Sequence, residues 1–392
     1  MPSQPPLPAG PSVRQLFSYP FRVFFLSLAV MAILAIPLWV ALVTGRISLP
    51  LAMPALYWHQ HEMLFGFLSA GIAGFLLTAV CVWTGTERTH GTRLLLLWLV
   101  WLAGRVLLVA GGQLPEFLVQ IVNLAFLPLV MLDAGWRIRR ARQLRQMVLL
   151  VVLGLLWLMQ VGFVTTLDTR FSHGALVMAL ALIGIIGGRI TPAFSATWLR
   201  QHGLDSSVVR VIPRLDMASL ASLIALMGAL VAGIDLLSGL LALLAGALIL
   251  VRLAGWKGWR FRSEPLLWIL HLSILWVPVA LFLLAGTLLA GWPSTAWSHA
   301  AGTGAVGGLI LGVIARVSLG HTGRPLVLPG GMVAAFILIH LAALVRVLTA
   351  LEIIPWHPGV GSSSLFWMLA YGIFLVRYGN ILASPRADRK PG

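Results

Sequence analysis

Apolar runs of membrane length, parted by short polar stretches, recur along the whole chain. At about 20 residues per membrane-crossing helix, they predict about twelve spans, roughly at residues 20–44, 58–83, 94–112, 116–135, 147–167, 173–197, 215–234, 236–254, 266–289, 297–319, 328–350 and 361–380. The least defined boundary is at Gly233-Ile234-Asp235. Met217 to Leu253 could be one broken segment, but some 40 largely apolar residues are too many for one ordinary span. The expected fold is all-α, a polytopic membrane bundle. Residues 1–19 form an N-terminal segment, 20–383 one transmembrane domain and 384–392 a basic tail.

The basic residues divide by loop. Arg88 and Arg93 follow the second span, Arg137, Arg139, Arg140, Arg142 and Arg145 the fourth, and Arg200, Arg210 and Arg214 the sixth. Lys257, Arg260 and Arg262 follow the eighth, Arg324 the tenth, and the tail adds Arg386, Arg389 and Lys390. The opposite loops hold little beyond Arg46 and Arg170. This bias predicts that both termini and the even-to-odd loops are cytoplasmic. It also supports the split at Asp235, since one helix fewer would place the later arginine loops on the wrong side.

Composition agrees with a membrane protein. The 392 residues are 59% hydrophobic and 10% charged, against about 25% charged in soluble domains, and the mean hydropathy is +0.97. Because the net charge of +16 lies mostly in short loops between apolar runs, it reads as an orientation signal and not as a nucleic-acid footprint. A lone cysteine, Cys81, excludes an internal disulfide. The first twenty residues lack the pattern of a removable signal peptide.

Against this background the polar residues inside spans stand out. The stretch Tyr57-Trp58-His59-Gln60-His61-Glu62-Met63-Leu64-Phe65-Gly66-Phe67 opens the second span. In a helix His59 and Glu62 can meet, while His61 points about 200° away from His59; an extended or unwound turn would put both rings on one side. The two histidines thus share one centre, serve different centres, or bond only to water and loop carbonyls.

Trp58-His59-Gln60-His61 is echoed by Phe171-Ser172-His173 and Trp297-Ser298-His299, four spans apart each time. The echo suggests three four-helix units about a pseudo-threefold axis. The charge bias places His59, His61, Glu62, His173 and His299 near external ends, as one layer. His271 and His321 fall toward the other side, as a second centre or as one ligand and one helix cap. His340 lies mid-span, where a histidine needs a partner. His90, His202 and His357 read as solvated loop residues. Small residues four apart, Gly66, Ala70 and Gly74, then Gly304, Gly308 and Gly312, suit close helix packing or a flat cofactor.

Arg105, Arg189, Arg316 and Arg346 also lie within spans, and carboxylates are few: Glu62, Glu116, Asp133, Asp216, Asp235 and Glu352. Haem propionates would supply further anions, and phospholipid headgroups are the alternative for helix-end arginines. Imidazole suits copper, iron and zinc. Several membrane histidines without a CxxCH site point to non-covalent haem b with axial histidines, beside a histidine-ligated copper. Met63 and Met332 read as core filling. The chain has no HExxH motif, since Phe65 stands where the second histidine belongs, and no Walker loop or dinucleotide fingerprint.

Several blocks resemble the NnrS family of bacterial membrane proteins: His59-Gln60-His61-Glu62-Met63 with Gly66-Phe67, the helix to Trp83-Thr84-Gly85, Trp101-Leu102-Ala103-Gly104-Arg105, Gly187-Gly188-Arg189, and Arg316-Val317-Ser318-Leu319-Gly320-His321-Thr322-Gly323-Arg324. The resemblance implies a haem- and copper-containing protein of the bacterial inner membrane that lowers nitric oxide stress. On it rests the expectation of a haem–copper oxidoreductase that reduces nitric oxide, fed by an electron donor of unspecified kind. The metal ligands would be His59, His61, His173 and His299 at the external layer, with His271 and His321 at a separate site and His340 as a further cofactor residue. Arg105, Arg189 and Arg316 would hold propionates or carboxylates, and Glu62 would relay a proton. The alternatives are a copper or haem transporter or maturation protein, and a haem-containing sensor or electron-transfer subunit without turnover. The twelve-helix pattern is also like that of haem–copper oxidases, by analogy of architecture alone.

Overall fold

The computed structural model describes residues 10–388. Among them, 12 helices are long and apolar enough to cross a membrane: α1 (Pro20–Val43), α2 (Ala55–Thr84), α3 (Gly91–Ala110), α4 (Glu116–Arg140), α5 (Leu144–Thr166), α6 (Thr169–Gln201), α7 (Ser206–Val231), α8 (Asp235–Trp256), α9 (Pro265–Ala290), α10 (Ala296–His321), α11 (Met332–Ala350) and α12 (Trp356–Ala383). The described residues include no β-strand. The protein is an all-α polytopic membrane bundle, as the hydropathy pattern predicts. Arg389 and Lys390 of the basic tail lie outside the described residues.

Local chemistry sets the boundaries. The break at Gly233-Ile234-Asp235 is real: Gly233 takes φ +72°, a conformation natural only to glycine, and α8 restarts with Asp235 in its first turn, where a negative charge suits the helix dipole. Pro20 and Pro265 occupy first-turn positions, where the missing N–H loses no bond. Ahead of Pro265, the Glu264 side chain accepts from the Leu266 N–H at 3.2 Å. The sixth span is longer than expected, since α6 runs on through Pro192 to Gln201.

Two spans contain widened π turns, Glu62–Phe67 in α2 and Ala300–Gly307 in α10. Each begins directly after a histidine of the echoed motif, His61 and His299. The echo between the second and tenth spans is therefore written in the backbone too. In α6 the helix is α throughout.

Contacts group the chain into two compact units. The first comprises Met1–Met147, Val313–Met332 and Tyr371–Gly392; the second comprises Val148–Gly312 and Val333–Ala370. Helices α1–α4, the first of the three expected groups, fall together. In the first unit Phe21, Phe24 and Phe25 of α1 are fully buried. A Cβ on Gly74 of α2 would stand 2.7 Å from the Phe25 ring and 3.1 Å from Phe24 Cβ, so this glycine permits the close approach of α1. In the second unit the stripe Gly304, Gly308 and Gly312 packs on α9: Cβ atoms there would lie 2.5 Å from Trp276, 2.6 Å from Ser273 Oγ and 3.0 Å from Ile269. Side chains of α9 thus cover the stripe that could have served a flat cofactor.

Candidate functional site

The most developed polar centre lies in the first unit and is built on the π turn of α2. Widened turns release carbonyls from the helical ladder, and here other groups take them up. The Phe65 carbonyl accepts from Arg105 Nη1 at 3.0 Å and from Ser69 Oγ at 2.6 Å. The Gly66 carbonyl accepts from Trp101 Nε1 at 3.0 Å and from Ser69 Oγ at 3.1 Å. Trp101 and Arg105 are four residues apart on α3 and so share one face, which explains the spacing in Trp101-Leu102-Ala103-Gly104-Arg105.

Glu62 sits at the middle of this centre. One carboxylate oxygen faces Arg105 Nε at 2.9 Å and the other faces His61 Nδ1 at 3.3 Å. Arg105 Nη2 also donates to Asn123 Oδ1 at 2.8 Å, and Asn123 Nδ2 donates to the Val119 carbonyl at 2.9 Å. The side chains of His61 and Glu62 are 0% and 3% exposed. Two glycines make the space: a Cβ on Gly66 would lie 3.0 Å from Glu62 Oε2, and one on Gly104 would lie 2.9 Å from Asn123 Oδ1. A carboxylate paired with a guanidinium only accepts, so His61 donates through Nδ1–H, and its lone pair is left on Nε2.

His59 and His61 belong to one α-helical turn, Ala55–His61, so the extended turn that would align the rings is not formed. They diverge as helical geometry requires. His61 faces Glu62, whereas His59 stacks on Trp39 with ring centroids 4.4 Å apart and planes at 25°.

The other histidines have separate surroundings. In the second unit His173 meets Trp297 edge-on at 5.1 Å, which brings the N-terminal ends of α6 and α10 together. His299 Nδ1 bonds its own helix at the Thr295 carbonyl, 2.7 Å away. His271 lies parallel to Phe261 at 5.3 Å and places Nε2 2.9 Å from Ser195 Oγ. His340 Nδ1 accepts from Trp276 Nε1 at 3.1 Å. Because indole only donates, the Nε2 of this neutral ring carries the proton. In the first unit the His321 ring lies 5.6 Å from Phe21 and 6.4 Å from Tyr19. Of the loop histidines, His90 pairs with Glu87 at 2.9 Å and so holds that carboxyl below its ordinary pKa.

The buried arginines match only in part those the spans singled out. Arg105 has the carboxylate Glu62, and Arg252 of α8, which the hydropathy pattern does not mark, pairs with Asp216 of α7 at 2.5 Å. Arg252 Nη2 also donates to the Gly184 carbonyl at 2.8 Å, and its guanidinium presses on Gly188. Gly187-Gly188-Arg189 is thus explained in part by Arg252, while Arg189 itself is exposed and Arg316 half-buried. Adding a methyl group in Gly188→Ala is expected to displace the guanidinium and destabilise the protein by about 1–3 kcal/mol, measurable as a fall in unfolding temperature in detergent. Trp39, Asn123, Ser195 and Trp276 were missed by sequence reasoning. Only the i, i+4 pairing of Trp101 with Arg105 hinted that α3 faces the α2 centre.

Among the described residues no group of three or more His, Cys, Asp or Glu side chains is placed to hold a metal ion. No curated protein matches the chain. The family described as NnrS protein matches residues 15–386, a range holding the π-turn centre, both packed glycine stripes and all twelve spans, and the chain belongs to the NnrS family.

Proposed function

We propose that this protein is a haem-binding member of its family that acts on nitric oxide within the membrane, with His61 as a residue that would hold the iron. One observation carries the reading: His61 is wholly buried and its Nδ1 is engaged by Glu62, itself anchored by Arg105. A carboxylate on the far nitrogen is the arrangement that fixes a ligating imidazole and raises its basicity. The donor set favours haem over a copper ion held by side chains alone. A porphyrin supplies four of its iron's ligands and asks one or two of the protein, whereas copper would need a cluster of side chains, and none is gathered among the described residues. No step is therefore assigned to copper. Haem held at His61 would supply an iron able to bind a small gas that partitions into lipid.

The residues around His61 have definable tasks. Glu62 orients the ring and keeps the proton on Nδ1; paired with Arg105, it suits this anchoring role better than the proton relay its sequence position suggested. Trp101, Arg105 and Ser69 hold the π turn that sets the direction of the ring. With its arginine-rich loops in the cytoplasm, the protein sits in the bacterial inner membrane with both termini inside. The test is metal analysis of the purified protein together with oxidised, reduced and nitric-oxide-treated spectra. A Soret band shifted by nitric oxide is expected, and metal-free protein that retains activity against nitric oxide would refute the reading.

A further inference from the structure

The arginine-rich end of the first unit contains a buried charge that the chain does not neutralise. Arg22 lies in the first turn of α1 and is 0% exposed. Its Nη1 donates to the Leu382 and Ser384 carbonyls at 2.6 and 2.7 Å, capping the end of α12. Its Nε and Nη2 are buried with no hydrogen-bond partner among the described residues. The capping role thus uses one of three nitrogens; the guanidinium also lies over the Phe21 ring at 5.4 Å, and no carboxylate among the described residues pairs with it.

The neighbours increase the imbalance. Arg324, Arg386 and Arg88 are all near enough to repel Arg22. Arg88 lies over the Tyr19 ring at 4.4 Å, with Nε donating to the Ser18 carbonyl at 2.9 Å. Arg324 Nη1 reaches only the Thr322 carbonyl, at 3.4 Å. Arg386 donates to the His321 carbonyl at 2.8 Å and is matched by Asp388, with bonds of 2.8 and 2.6 Å to its two oxygens. That carboxylate is consumed by one arginine, and the undescribed residues 1–9 and 389–392 contain no Asp or Glu. A buried, uncompensated guanidinium costs several kcal/mol. No carboxylate among the described residues answers this charge, and an anion from outside the chain would.

We infer that Arg22, with Arg88 and Arg324, binds a phosphate oxyanion at this end of the first unit. The guanidinium fork matches phosphate oxygens in pairs, and basic pockets between membrane helices suit phospholipid headgroups. The phosphate belongs to an anionic lipid or arrives free from solution. The site shares no residue with the His61 centre: its three guanidiniums come from Arg22, Arg88 and Arg324, and its test needs no cofactor.

The experiment is thermal unfolding of the full-length protein in neutral detergent, at constant ionic strength, with added cardiolipin, phosphatidylcholine or inorganic phosphate. Cardiolipin or phosphate is expected to raise the unfolding temperature by a few degrees while phosphatidylcholine does not. A response to cardiolipin alone identifies the bilayer as the source, and a response to inorganic phosphate identifies solution. Arg22→Met should abolish the shift. Because that change also removes the α12 cap, the double variant Arg88→Gln/Arg324→Gln, which leaves the cap intact, should lose at least half of it. Equal shifts from all three additions, or an unchanged shift in the double variant, would overturn the site. Loss of a Soret band in the double variant, without any lipid or phosphate response, would hand these arginines to haem carboxylates and overturn it as well.

Discussion

Arg105→Met is expected to destabilise the protein by about 3–5 kcal/mol, because it strands the Glu62 carboxylate in a buried site. Glu62 has a side-chain exposure of 3%, and among the described residues Arg105 is the one guanidinium paired with it. The same change removes one of the two donors on the Phe65 carbonyl, leaving Ser69, and takes away a partner of Asn123 Oδ1, so the π turn loses its support from α3 there. Arg105→Lys should rescue little, since one ammonium cannot reach Glu62, Phe65 and Asn123 at once. Adding Glu62→Gln to Arg105→Met removes the stranded charge and should restore part of the loss. A double-mutant cycle of unfolding in detergent measures this coupling, and strictly additive effects would show that the pair is not a unit.

The fold was legible because a bilayer constrains it so strongly. Backbone polar groups must be satisfied within each span, so apolar runs translate almost directly into helices, and even the break at Gly233 followed from length and charge bias. The site was less legible, for two physical reasons. Helical spacing allowed His59 to meet Glu62, but whether a span keeps ordinary α geometry through His61 and then widens is set by tertiary donors such as Arg105 and Trp101, which lie some 40 residues further on. Likewise, the scarcity of carboxylates left propionates and buried carboxylates both open as partners of Arg105, and only the packing of α3 against α2 selects Glu62. The arginine that does lack a counter-charge, Arg22, was hidden by its place at a helix end, where snorkelling to headgroups is the ordinary expectation. Its burial comes from the return of α12 beside it, through Leu382 and Ser384, and no local pattern announces that.

His61→Ala is expected to abolish the Soret band of the purified protein, while His59→Ala, which removes the ring stacked on Trp39, should retain it. The contrast follows from the divergence of two rings on one helical turn: only His61 has the carboxylate support that fixes a ligating tautomer. Glu62→Gln should lie between, lowering haem affinity by about 10–100-fold, since the amide keeps the shape of the carboxylate but not its charge. Spectral titration of haem-depleted protein measures each affinity, and added imidazole should restore binding to His61→Ala by standing in for the missing ring. A folded His61→Ala protein with an unaltered Soret band would place the iron elsewhere. His340 would not be the natural replacement: its Nδ1 is held by Trp276 and its Nε2 carries the proton, so that ring would first have to surrender a hydrogen bond to become a ligand.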